Sequence, residues 1–231
     1  MKQGIILINK PEGWTSFDVV NYIRKIIANQ QHLKPKQVKV GHSGTLDPFA
    51  KGLLILLIGK AYTKRAKDFS KKDKTYTFEL ILGKRSDTGD KTGQLLQVSS
   101  RQPNLEELEA VISSFRGEIS QIPPAYSAIK IDGIRAYDLV RRGLKPNLKP
   151  RLVKISDLSI EKYVYPRVQL QAKVSSGTYI RSLAEDIGIA LKTGAYVDYL
   201  ERTTIDNYSL KNSVSLKELN VSNIEQFISS V

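Results

Sequence analysis

The 231-residue sequence predicts an α+β fold, a mixed and largely antiparallel sheet with packed helices, and three observations carry that prediction. Residues 75–82 alternate, with Tyr76, Phe78 and Leu80 on one face, and Val168, Leu170, Ala172 and Val174 do the same, as half-buried strands do. Other segments keep the 3.6-residue period of amphipathic helices. The two kinds follow one another without regular βαβ spacing, which argues against a doubly wound parallel sheet.

In order, Ile5-Ile6-Leu7-Ile8 reads as a first strand, much too short to span a bilayer. Lys10-Pro11-Glu12-Gly13 is turn chemistry, and Thr15 or Ser16 caps a helix with Asp18 in its first turn and Val19, Val20, Ile23, Ile26 and Ile27 on one face. Residues 30–40 read as irregular, then extended, and residues 41–52 as a loop. The six apolar residues 53–58, between Gly52 and Gly59, suit a buried strand or a core helix segment. After the strand at 75–82, residues 83–93 read as loop. Asn104 then caps a helix carrying Leu105, Leu108, Val111, Ile112 and Phe115. Thr178 is expected to cap another, with Ile180, Leu183, Ala184, Ile187 and Leu191 inside, and residues 216–227 read as a final helix or two. With no repeat or low-complexity linker, residues 1–231 are expected to form one continuous domain.

Lys and Arg number 36 against 23 Asp and Glu, a net charge of +13 that points to a polyanionic partner. There is no cysteine, which excludes disulfides, thiolate metal sites and a cysteine nucleophile, and with only His32 and His42 a zinc site is not expected. The excess is concentrated. Residues 60–74 carry seven bases against two acids and residues 130–154 eight against two, together +11 of the +13. One such run would read as a solvated face, but both are interleaved with aromatics, Tyr62, Phe69 and Tyr76 in or beside the first and Tyr126 and Tyr137 in or beside the second. Neither has the apolar helical stripe of a membrane-surface helix, so nucleic acid is favoured over a membrane.

The chemistry is concentrated in Gly41-His42-Ser43-Gly44-Thr45-Leu46-Asp47-Pro48-Phe49-Ala50-Lys51-Gly52. A Walker loop is excluded, because Gly59-Lys60 is followed by Ala61 and Gly83-Lys84 by Arg85. What remains is a carboxylate in a Gly-rich turn, which on spacing alone equally fits an Asx-turn ahead of a buried element.

This loop, G-H-S-G-T-L-D-P-F-A-K-G-L-L, closely resembles the signature of the TruB family of tRNA pseudouridine synthases. Four further stretches match in order: G-I-I-L-I-N-K-P-E-G-W-T-S-F-D-V at 4–19, K-T-Y-T-F-E-L-I-L-G-K-R-S-D-T-G-D at 74–90, I-P-P-A-Y-S-A-I-K at 122–130, and S-S-G-T-Y-I-R-S-L-A-E-D-I-G at 175–188. The resemblance implies the pseudouridine synthase fold and an enzyme without cofactor or metal, expected to be a monomer; the short apolar N-terminal stretch, without a cleavage site, separately leads to the expectation of a cytoplasmic protein. Such an enzyme isomerises the T-loop uridine 55 of tRNA, independently of guide RNA. It places the catalytic carboxylate at Asp47, a base-stacking tyrosine at Tyr76 and an arginine that keeps Asp47 charged at Arg181, where position alone would equally allow Arg202 or Arg85. It places His42, Asp90 and Lys130 among RNA contacts and Leu200 in the base pocket. Lys64, Arg141 and Arg142, in the two basic windows, are expected to hold the T-arm, the second window being an RNA-clamping insertion. Bacterial members usually continue into a C-terminal PUA-type domain, which is expected to be absent here. The alternative expectation is a tRNA-binding or tRNA-folding module with secondary or lost catalysis.

Overall fold

The computed structural model describes residues 1–230. The first elements are β1 Gly4–Lys10, α1 Ser16–Gln30, β2 Val40–His42, β3 Lys51–Ile58, α2 Lys60–Lys64, α3 Ala66–Ser70 and β4 Lys74–Leu82. Then come β5 Lys84–Ser86, β6 Leu95–Gln97, α4 Leu105–Ser114, β7 Gly117–Gln121, β8 Lys130–Ile131, β9 Ile134–Arg135 and α5 Ala136–Arg141. The last are β10 Arg151–Val164, β11 Arg167–Val174, α6 Ile180–Ala190, β12 Ala195–Ile205, β13 Tyr208–Ser209 and β14 Val214–Ser215. They form two compact units, Met1–Tyr76 with Leu200–Val231, and Thr77–Tyr199; β4 and β12 contribute residues to both.

The first unit is organised around β3. It pairs antiparallel with β1 (Ile6 opposite Leu56, Lys10 opposite Gly52) and with β2, and parallel with β12 through Glu201–Lys51 and Arg202–Gly52. Residues 53–58 are fully buried because both faces of the strand are covered. Leu54, Leu56 and Ile58 meet Val19, Val20, Ile23 and Ile27 of α1, while Leu53, Ile55 and Leu57 meet Phe69 and Ile205. Each such side chain contributes roughly 1.5–3 kcal/mol. Helix α1 starts at the expected cap, with the Thr15 hydroxyl accepting from the Asp18 amide and the Asp18 carboxylate accepting from the Thr15 amide. Gly52 has φ +107°, and a Cβ there would lie 2.4 Å from the Arg202 carbonyl oxygen, so this crossing of β3 by β12 requires glycine.

In the second unit β10 pairs antiparallel with both β11 and β7, and α4 and α6 bury Leu108, Ile112, Ile180, Leu183, Ala184 and Ile187. Two local expectations are corrected. Helix α6 is capped at Tyr179, not Thr178, because the Thr178 hydroxyl donates to the Ser175 carbonyl and closes the preceding turn instead. Residues 216–227 form two 3₁₀ turns rather than α-helix. There Asn220 Oδ1 accepts from the amides of Ser222 and Asn223, and Asn223 Nδ2 donates to the Glu218 carbonyl, bonds that compete with a helical ladder. Within the expected 83–93 loop, β5 forms a short hairpin with β6. No helix is long and apolar enough to cross a membrane.

Candidate active site

The glycine-rich loop occupies residues 43–50, between β2 and β3, and is held at every turn by the first unit. The Ser43 amide donates to the Ile55 carbonyl. The buried Ser16 hydroxyl both donates to the Leu46 carbonyl (3.1 Å) and accepts from the Leu46 amide (2.9 Å), clamping the residue before Asp47 to the start of α1. The Ala50 amide donates to the Asp47 carbonyl and the Gly13 amide to the Pro48 carbonyl, at 3.1 and 2.8 Å. Asp47 is half-buried.

Three cations to which no sequence motif assigns a role surround this loop. Lys10, fully buried at the end of β1, donates to the carbonyls of Pro11 (2.9 Å), Trp14 (2.7 Å) and Pro48 (3.4 Å). Burial lowers its pKa to about 8, partly opposed by the negative charge of Asp47. Arg202, 1% exposed, donates from Nε to the Leu53 carbonyl at 2.8 Å and from its two terminal nitrogens to the carbonyls of Thr45 and Gly44 at 3.5 and 3.3 Å. Lys74 of β4 donates to the carbonyls of Ser70 and Lys72, and burial, then the Arg202 charge, lowers its pKa to about 8. Although it belongs to the first basic window, Lys74 therefore adds little to the surface field.

The signal for these residues is their phase. Lys10 shares a strand face with Ile6 and Ile8, Lys74 with Tyr76 and Phe78, and Arg202 with Leu200. A cation in phase with core residues must find buried partners.

His42, at the end of β2, has its pKa lowered, by burial and then by the Arg202 charge. Its Nδ1 accepts the Gly44 amide at 3.3 Å, a bond that needs a lone pair on Nδ1 and so, like burial, favours the neutral imidazole. Tyr76 and Leu200 are buried, each one strand step of two residues from a cation just described, Lys74 and Arg202. Asp47, His42, Tyr76, Leu200 and Lys64 thus belong to the first unit, with Lys64 exposed on α2.

The stability of this unit should register the two depressed lysines. Between pH 8 and 10.5 the unfolded chain still holds protons that folded Lys10 and Lys74 have released, so the unit becomes more stable as pH rises through that window. The gain is at most about 1.4 kcal/mol per pH unit per lysine. Trp14, the single tryptophan, lies in the same unit and reports its unfolding. Urea midpoints followed by its fluorescence should rise from pH 7.5 to 9.5 in the wild type relative to Lys10→Met and Lys74→Met variants; parallel pH dependence in all three would refute the assignment.

The second unit holds Arg181, Asp90, Lys130, Arg141 and Arg142. Arg181 lies in the first turn of α6 and is 4% exposed. Its terminal nitrogens donate to the carbonyls of Thr88 and Tyr126, both at 2.9 Å, and one stands 3.6 Å from the Asp90 carboxylate. Asp90 is itself buried and accepts from the Thr88 and Thr92 hydroxyls and the Thr92 amide. Lys130, Arg141 and Arg142 are exposed on β8 and at the end of α5, where Arg135 and Arg141 lie over the Tyr137 ring at 5.7 and 5.5 Å. Among the described residues no three His, Asp or Glu side chains are grouped as a metal site would need.

Comparison with known proteins agrees with the loop chemistry. Residues 30–180 match the family described as TruB family pseudouridylate synthase (N terminal domain). The tRNA pseudouridine synthase B of Clostridium tetani is 44% identical over 97% of this chain and 75% of its own length. That of Endomicrobium trichonymphae is 41% identical over 93% and 90%. Among solved structures, a chain of a Cbf5-Nop10-Gar1 complex superposes with a TM-score of 0.70 at 28% identity over 94% of this chain, which spans about half (53%) of that chain's length. On the evidence of the whole-length relatives and the profile match, the chain belongs to the TruB family of pseudouridylate synthases.

Proposed function

We propose that this pseudouridine synthase converts uridine 55 in the T loop of tRNA to pseudouridine, acting in the cytoplasm as a monomer without a guide RNA. The observation that carries this reading is the 41–44% identity, over nearly the whole chain, to proteins named tRNA pseudouridine synthase B. In the reaction the N1–C1′ bond of the uridine breaks, the uracil turns, a C5–C1′ bond forms, the C5 proton leaves to solvent and N1 takes one up. No atom is gained or lost.

The roles follow the motifs. Asp47 supplies the carboxylate, which acts at the ribose as a nucleophile or as a base and needs its charge for either. A loop clamped by Ser16, Lys10 and Arg202 keeps the main chain on either side of Asp47 in one place without help from the substrate. Tyr76 offers a ring for the extruded base, a contact typically of about 1–3 kcal/mol, and Leu200 an apolar wall. Arg181 supplies a buried cation already oriented by Thr88, Tyr126 and Asp90. Neutral His42 is suited to filling or stacking within the RNA loop, and exposed Lys64, Lys130, Arg141 and Arg142 to holding phosphates.

The test is release of tritium from an unmodified tRNA transcript carrying [5-³H]uridine. Stoichiometric release, confined to one site by mapping, is the expected result in the absence of any other RNA. Tight tRNA binding with no release would instead favour a tRNA-folding module.

A further inference from the structure

The first unit also contains a cationic cavity away from Asp47. It has a volume of about 330 Å³, the lower end of the range for ligand pockets, and is lined by Arg24, Lys36, Val38, Lys39, Val40, Gly41 and Thr63. Three of these residues are cations and none is an acid. The wider sequence agrees: between Asp18 and Asp47 there are five Lys and Arg and no Asp or Glu. This third basic stretch is invisible in the net-charge count, because acids elsewhere cancel it.

The cavity is built rather than merely charged. Arg24, on the last turns of α1, donates to Asn21 Oδ1 at 2.7 Å and to the Val40 carbonyl at 3.3 Å, and its guanidinium lies over the Phe17 ring at 5.9 Å. These contacts orient the fork while using two of its five N–H donors. Val38 and Val40 form a buried apolar floor, and Lys36 and Lys39 are exposed along the wall. With three cations and no carboxylate lining the cavity, it favours an anion and repels a cation. Gly41, at its edge, immediately precedes His42 on β2, so an anion held here lies beside the strand that leads into the Asp47 loop.

We infer that Arg24, Lys36 and Lys39 hold a backbone phosphate of the RNA substrate, next to the nucleotides handled at the His42–Asp47 loop. This rests on the proposed function above. Thr63, whose hydroxyl bonds the Gly59 carbonyl at 3.0 Å, shapes the far wall.

The experiment measures tRNA binding by wild type, Lys36→Gln/Lys39→Gln and, as a control of equal charge loss, Lys211→Gln/Lys217→Gln, at several salt concentrations. The control lysines are exposed in the same unit, away from the cavity lining. Each phosphate that is no longer neutralised lowers the slope of log affinity against log salt by about 0.7–0.9. The cavity variant should give a slope shallower by about 0.7–0.9 and bind roughly tenfold more weakly, with the control near wild type. Bound tRNA should also protect Lys36 and Lys39 from acetylation, read by mass spectrometry, but not Lys211. If wild type isomerises tRNA and both variants show the same slope, the cavity assignment is wrong while the proposed function stands. If wild type neither binds nor isomerises tRNA, both fall. Protection of Lys36 and Lys39 by a polyglutamate peptide but not by tRNA would overturn the assignment in favour of an acidic protein partner.

Discussion

Asp47→Asn protein should bind tRNA with wild-type affinity and release no tritium from its C5 position. The substitution keeps the size of the side chain and removes only its charge. The loop around it is fixed by main-chain bonds, from the Ser43, Leu46 and Ala50 amides and to the Pro48 carbonyl, none of which uses the Asp47 carboxylate. These bonds should preserve the fold of the loop even though the substitution removes the attraction between Asp47 and buried Lys10. What disappears is the anion at the reacting ribose, and removing a group that reacts directly typically costs several orders of magnitude, up to about 10⁶ in the best-studied case. A fall of less than tenfold would eliminate Asp47 as the reacting group. A parallel loss of tRNA binding would show instead that the loop had been disturbed.

Arg202→Met should destabilise the first unit by about 3 kcal/mol, the largest stability effect expected from any single change near the site. Methionine fills most of the same volume, so little cavity is created. Three carbonyls lose their donor: that of Leu53 is fully buried and its orphaning alone costs about 1–3 kcal/mol, while those of half-buried Gly44 and exposed Thr45 add less because water can reach them. Opposing this, removal of a buried cation relieves its own desolvation and its repulsion of Lys74 and His42. The first effect is larger because the Leu53 carbonyl is left fully buried without its donor and the two remaining cationic lysines keep their own carbonyl partners. Urea unfolding followed by Trp14 fluorescence should shift by about 1–2 M. Arg202→Lys should recover only part of this, since an ammonium cannot span three carbonyls with the geometry of a fork. A shift under about 0.3 M would mean that the loop does not depend on this arginine.

The sequence was most legible where one chemical pattern repeats without interruption. Helix α1 has its capping box and its five apolar positions in phase, and β4 alternates cleanly, so both were readable with their buried faces. Strand β10, fourteen residues long, was not, because register shifts between Ile155 and Asp157 and between Ile160 and Lys162 break its alternation. In β12 the alternation lapses at Asp198 and Tyr199, both only partly buried. The loop around Asp47 was recognisable from its motif, while its supports were not. Lys10 and Arg202 look like ordinary surface charges until the strands carrying them are known to be buried. The basic cavity was hidden for the opposite reason, since its charges are averaged away by the acids of α4 and elsewhere.

The double coverage of β3 has a further consequence for how the enzyme would divide its labour. Because the strand after the loop has no solvent face and the residue before Asp47 is bolted to α1, the first unit offers the loop no hinge. If Asp47 is the reacting residue, as proposed, its main chain acquires its order when the chain folds, and little of the entropy of arranging the loop falls on the encounter with RNA. On the same proposal, adaptation to the irregular surface of an RNA arm would fall to the long exposed side chains of Lys36, Lys39, Lys64, Arg141 and Arg142, whose rotamers can change without disturbing the loop.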